Sequence, residues 1–227
     1  MIDTIFSLTF VRPSRIENIE LLLEVGLDLE LKISILMNTV EVYTVIAKIV
    51  SRVKGCTTQF RGVLSADQLD DLELDKRNHI LVCNILPISK KNDMGHWILL
   101  FITAKTCYVF DSYAFNLGNY GDHFTRFRRR IKRDVVYLNK RQIQSNFSLV
   151  CGAYCVYIAH VIIVYGVRQV QKHVRMHFNN NNKSVNDRNV LKLCYRLFSD
   201  SMPDCKQTFC PKSGYLTYDK CTKRFCV

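Results

Sequence analysis

The chain has 227 residues, with 32 Lys and Arg against 20 Asp and Glu, a formal net charge of +12, and 48% hydrophobic residues. With 4 Pro and 9 Gly it is excluded from the fibrous and disordered classes, and it can bury a substantial core in one domain or one domain with an appendage. The positive excess points to nucleic acid or another polyanion as a partner. The N-terminus carries no basic region or small-residue cleavage site of a secretory signal, so the 10 Cys are expected as mostly reduced thiols in cytosol or nucleus. The longest uncharged apolar stretch, 150–167, contains His160 and reads as a buried helix, not a membrane span.

Residues 1–38 alternate apolar and acidic stretches, broken near Gly26, and predict an N-terminal helical extension without chemistry. Residues 39–54 have helical periodicity, turn basic towards the end, and meet a stop at Gly55. In GCTTQFRGVLSADQLDDL, Ser65 and Gln68 form a capping box that starts a short helix. HILVCNILPI (79–88) predicts a strand ended by Pro87. GHWILLFITA (95–104) and KTCYVFDSY (105–113) predict a hairpin turning at Ala104 and Lys105. Residues 118–133 predict a basic helix, and VVYL (135–138) a short strand. The apolar helix begins at Cys151. NNNNKS (179–184) is a polar linker, and DRNVLKLCYRLFSD begins another helix. The implied organisation is an extension at 1–38, a domain at 39–202 and a Cys-rich tail at 203–227. Strands and helices do not alternate as repeating βα units, so the class is α+β, a central sheet with helices.

Candidate chemistry gathers around Cys151, where the polar loop QSNFSLV runs into an apolar helix and Gly152 follows at once. First-turn N–H groups lack intrahelical partners, and the helix dipole places positive charge there, which favours a thiolate. Gly152 lets a substrate carbonyl approach the backbone, and the Cys151 N–H can donate to an oxyanion. His96 opens a predicted strand and Asp111 closes the next. Their nearly equal distances from the turn place them almost opposite each other, as a base and its orienting acid. Gln144, seven residues before Cys151, is a candidate second oxyanion donor. Trp97 is a candidate wall of the site, and Cys155 reads as packing one turn along the helix.

GHW, then KTCYVFD, then Gln144 seven residues before CGAYC, with FRGVLSADQL (60–69) upstream, resembles the adenovirus-type (adenain-like) cysteine proteases over about residues 45–200. More broadly it is similar to the clan that includes the SUMO-deconjugating proteases. The resemblance implies a papain-like or adenain-like fold, with nucleophile Cys151, base His96, acid Asp111 and oxyanion residue Gln144. Adenovirus enzymes carry Glu at the acid position and the deconjugases Asp, and the interval from His to acid is slightly shorter here. The deconjugases usually place Asp directly before Cys-Gly, where this chain has Val150, and have a shorter Gln-to-Cys interval. The implied function is a cysteine endopeptidase that matures viral structural precursors, in host nucleus or cytoplasm and in the virion, for a DNA virus or a virus-like transposon. A ubiquitin-like deconjugase and a non-catalytic DNA-binding module on a protease fold are the competing readings.

HFTRFRRRIKR (123–133) puts Phe124, Phe127 and Ile131 on one helical face. The opposite face offers Arg126, Arg128, Arg129, Arg130, Lys132 and Arg133 as phosphate-binding residues, extended by Lys140, Arg141 and Arg168 to Arg175. The resemblance implies duplex DNA as an activator, and no cofactor for the chemistry. It also implies an activating peptide, but this chain has no cysteine between Asp111 and Cys151 for a disulfide to it. In the tail, Cys205, Cys210, Cys221 and Cys226 offer four thiols, spaced more widely than the commonest zinc knuckles; zinc is one reading and free thiols the preferred one.

Overall fold

The computed structural model describes residues 39–90, 95–146 and 148–198. The expected helical extension at 1–38 and the Cys-rich tail at 203–227 lie outside the described residues.

The elements run α1 (Thr39–Arg52), β1 (Gln59–Leu64), β2 (His79–Asn84), β3 (Trp97–Ile102), β4 (Thr106–Phe110), α2 (Asp122–Ile131), β5 (Asp134–Tyr137), α3 (Cys151–Tyr165), α4 (Val170–His177) and α5 (Lys183–Phe198). The strands form one sheet in the order β1-β2-β3-β4-β5. The two outer pairs are parallel, β1 with β2 and β4 with β5, and the inner pairs are antiparallel. This is an α+β fold with a central sheet, as the sequence predicts.

WILLFI of β3 is apolar throughout, with five of its six residues buried, because helices or loops cover both faces of the sheet. On one face Leu81, Cys83, Ile98, Leu100 and Ile102 pack against Leu69, Phe124, Phe127 and Ile131. The apolar face predicted for the basic helix is therefore its buried face. Trp97, one strand position out of phase with that cluster, lies against Gly152 of α3 and near Val42 of α1. Helix α3 is apolar all round and almost fully buried, the usual state of a helix with no polar face.

Several boundaries differ from expectation for local reasons. The strand β1 carries no clean sequence signal, because Gly62, at φ +97°, lies where the register with β2 shifts between Phe60 and Val63. The Ser65/Gln68 signal is real, since the Ser65 N–H donates to Gln68 Oε1 at 2.9 Å, but it opens only a single 3-10 turn, Asp67–Leu69. The basic helix is shorter than predicted: a separate turn, Leu117–Tyr120, precedes it, and Gly121 at φ +87° breaks the two apart. The last helix begins at Lys183, inside the expected polar linker, and α4 is an additional helix.

Candidate active site

The hairpin of β3 and β4 turns at Ala104 and Lys105, with the Thr103 N–H donating to Thr106 O at 2.8 Å. Leu99 pairs with Phe110, so the ladder carried one residue further sets Asp111 opposite Ile98 rather than His96. The two site residues are thus diagonal neighbours on one face, a separation that long side chains bridge. They do so: His96 Nε2 lies 2.6 Å from Asp111 Oδ1. The Cys151 side chain lies close enough to the same ring to act on its proton.

Asp111 is held by an unusually complete set of donors for a residue 1% exposed. Oδ1 accepts the Tyr113 N–H at 2.9 Å as well as His96, and Oδ2 accepts the Phe115 N–H at 2.9 Å and the Tyr120 hydroxyl. A turn creates this cradle: the Ala114 N–H closes on Asp111 O, with Ala114 itself at φ 60°. Asn139 fixes the backbone from the far side, accepting the Asp111 N–H and donating to Asp111 O. Burial pushes the carboxyl up, but the His96 contact and these donors outweigh it and hold the group below its ordinary value.

His96 is 8% exposed and lies against Tyr113, with ring centroids 4.5 Å apart and planes tilted by 35°. Burial pushes its proton affinity down. The Asp111 hydrogen bond and charge, with the neighbouring Cys151 side chain, push it up further, so its pKa stands at about 9. The local field therefore favours an imidazolium beside Asp111.

Helix α3 starts at Cys151 as expected. Val150, its N-cap, makes no side-chain cap hydrogen bond, so among the described residues no cap competes for the first-turn N–H groups. The other described thiols are placed differently. Burial pushes Cys83, Cys107 and Cys155 up, and Cys155 donates to Trp97 O at 3.4 Å, in keeping with a packing role. Trp97 borders the nucleophile: a Cβ built on Gly152 would stand 2.5 Å from the Trp97 ring.

Gln144 is fully buried in the loop leading to α3. Its backbone N–H and that of Ile143 both point to Ser112 O, and the Ser112 hydroxyl donates to Oε1 at 2.5 Å. Nε2 donates to Ser148 O at 2.6 Å and more loosely to Tyr113 Oη at 3.4 Å. The residue beside the acid thus anchors the glutamine loop, a link with no counterpart in the sequence pattern. Ser112, Tyr113, Tyr120 and Asn139 were all missed by sequence reasoning. Only Tyr113 and Ser112 carried a signal, their adjacency to Asp111.

The basic helix does not present all its cations alike. Arg126 pairs with Asp70 at 2.7 Å, Arg130 donates to the carbonyls of Leu69 and Leu72, and Arg133 reaches the carbonyls of Ala104 and Asp75. Arg128, Arg129 and Lys132 are exposed and have no side-chain partner among the described residues. Among the described residues no group of three or more His, Cys, Asp or Glu is arranged to hold a metal, and no helix is long and apolar enough to cross a membrane. The four tail cysteines lie outside the described residues.

No family model and no curated protein matches this chain. Among solved structures, two of the Chlamydia trachomatis effector protein ChlaDUB1 are similar to it. One has a TM-score of 0.39 at 13% identity over 71% of each chain. The other has a TM-score of 0.38 at 14% identity, over 74% of this chain and 81% of that one. Similarity this low leaves the function to be argued from the residues themselves.

Proposed function

We propose that the protein is a cysteine protease acting through Cys151, His96, Asp111 and Gln144. The observation that carries this reading is the chain of contacts from Asp111 through His96 to a thiol at the uncapped start of a buried helix. An isolated buried His–Asp pair is common; one that ends on a helix-terminal cysteine has the order a nucleophile needs. Cys151 Sγ attacks the scissile carbonyl carbon as the C=O electron pair moves onto oxygen. The Cys151 N–H and the loose Gln144 amide hydrogen stabilise that oxyanion. His96 gives its proton to the leaving amine, and an acyl-enzyme thioester remains. Water then attacks, His96 takes its proton, and the thiolate returns. Asp111 keeps the ring oriented and stabilises its charge throughout.

By the resemblance to adenovirus-type proteases, the cleaved bond follows a small residue, typically in a glycine-containing motif. The resemblance to adenovirus-type proteases supports viral precursor proteins as substrates, action in the host nucleus or cytoplasm and in the virion, and stimulation by DNA. Arg128, Arg129 and Lys132 are the residues open to phosphates. Deconjugation of a ubiquitin-like protein is the second reading, favoured by Asp rather than Glu at position 111. Cleavage of a peptide carrying a Gly-containing site should be lost in Cys151→Ala and in His96→Ala, with both variants folded. Undiminished cleavage by Cys151→Ala would end the protease reading.

A further inference from the structure

The loop that carries Gln144 is clamped from a direction the proposed mechanism does not use. Helix α5 presents Asn186 and Asp187, which are 1% and 2% exposed. Asn186 Nδ2 donates to Ile143 O at 3.1 Å, and the same amide caps the preceding turn through Asn180. Asp187 Oδ2 accepts the Ser145 N–H at 3.2 Å, and Oδ1 accepts the Tyr154 hydroxyl at 3.0 Å. Ser148 is tied to the same segment, its N–H donating to Ser145 O at 3.3 Å. Tyr154 stands one turn along α3 from Cys151, and its hydroxyl also lies 3.3 Å from Ile143 O. One buried carboxylate therefore joins the residue after Gln144 to the helix that carries the nucleophile, while Asn186 and Tyr154 hold the residue before it.

Burying a carboxylate is costly unless donors surround it. Burial pushes Asp187 up, above the ordinary range, against hydrogen bonds that hold it down. An apolar residue would fill this position at less cost, so the carboxylate is explained by what it fixes. Ser148 O, which receives the Gln144 amide at 2.6 Å, belongs to the segment that Asp187 holds. Displacing that segment would release the Ser148 carbonyl that holds the Gln144 amide.

We infer that Asp187 is a positioning residue for the oxyanion donor, acting through Ser145 and Tyr154 to set the Gln144 amide relative to Cys151. This rests on the cysteine protease reading. Alkylation of Cys151 needs a thiolate but no oxyanion donor, whereas acylation needs both, so the two reactions separate positioning from folding.

The experiment compares iodoacetamide alkylation of Cys151, read by peptide mapping, with acylation by p-nitrophenyl acetate, read by release of nitrophenolate. In Asp187→Ala, acylation should fall about 10- to 100-fold, up to the size of losing an oxyanion donor, with alkylation within about twofold of wild type. Asp187→Asn, which still accepts from Ser145 through Oδ1, should recover acylation to within about fivefold. If Asp187→Ala does not fold, Tyr154→Phe carries the test through a several-fold loss of acylation at unchanged alkylation. Wild-type acylation in whichever of these variants folds, or parallel loss of both reactions, would overturn the positioning role alone. A wild-type protein that is alkylated elsewhere, or is not acylated, would remove the protease reading and this inference with it.

Discussion

Gly152→Ala tests whether the packing beside the nucleophile is as tight as it looks. The added methyl would stand 2.5 Å from Trp97 Cζ3, 2.6 Å from Cε3 and 3.1 Å from Val42 Cγ2. Carbon atoms settle at about 3.5–4.0 Å, so the ring must retreat by about 1 Å or α3 must move by the same amount. Neither is free. Trp97 begins β3, pairs with Asn84 and receives the Cys155 thiol on its carbonyl. Overpacking of this kind costs about 1–3 kcal/mol. For a domain of this size that lowers Tm by roughly 2–12 °C. The catalytic loss should be larger than the loss of stability suggests, because Trp97 adjoins His96 and a 1 Å misplacement costs about 10²-fold. Thermal unfolding and peptide cleavage are measured side by side, with Gly118→Ala as control, where a Cβ meets open space. Full activity and an unchanged Tm in Gly152→Ala would refute the packing argument.

Other expectations follow from the same geometry. Asp111→Asn removes the charge that holds the His96 proton, so cleavage should fall about 10²-fold or more, and the alkaline limit of the pH–rate profile should move below pH 9; an unmoved limit would show that Asp111 does not set it. His96 is raised from 6.5 to about 9, so its contribution is fully present below pH 6.5 and lost as pH rises through 9. The shift corresponds to about 3 kcal/mol, which urea unfolding of wild type against His96→Phe at pH 6 and pH 9.5 should reveal as a difference confined to the acid side. If DNA binds through Arg128, Arg129 and Lys132, three phosphate contacts give a log–log salt slope of about −3. Reversing all three to Glu should flatten that slope and abolish any stimulation of cleavage by DNA; a slope equal to wild type would place the DNA elsewhere.

The parts of this protein legible in its sequence are those with local causes. Cys151, His96 and Asp111 stand at element ends, and periodicity, the turn at Ala104 and the Gly after the cysteine locate those ends. Phe124, Phe127 and Ile131 were legible because a helix repeats its buried face. The parts that were not legible depend on distant partners. Nothing near Asn139 announces that it brackets Asp111, and nothing in NNNNKSVNDR announces that Asp187 grips the loop ahead of Cys151. The basic face is partly tied to distant segments as well: Arg126, Arg130 and Arg133, candidates for phosphate contact, each also reach a carboxylate or carbonyl from another segment. Strand β1 was hidden by one glycine whose backbone a bulge requires.

The central claim is that Cys151 is activated by His96 and captures an acyl group. Mass spectrometry of the protein quenched during reaction with p-nitrophenyl acetate tests it most directly. The account predicts a single acetyl adduct on the peptide containing Cys151, absent in Cys151→Ala and at least about 10²-fold slower to form in His96→Ala. An adduct spread over several cysteines, or one formed at Cys151 at the same rate without His96, would contradict it.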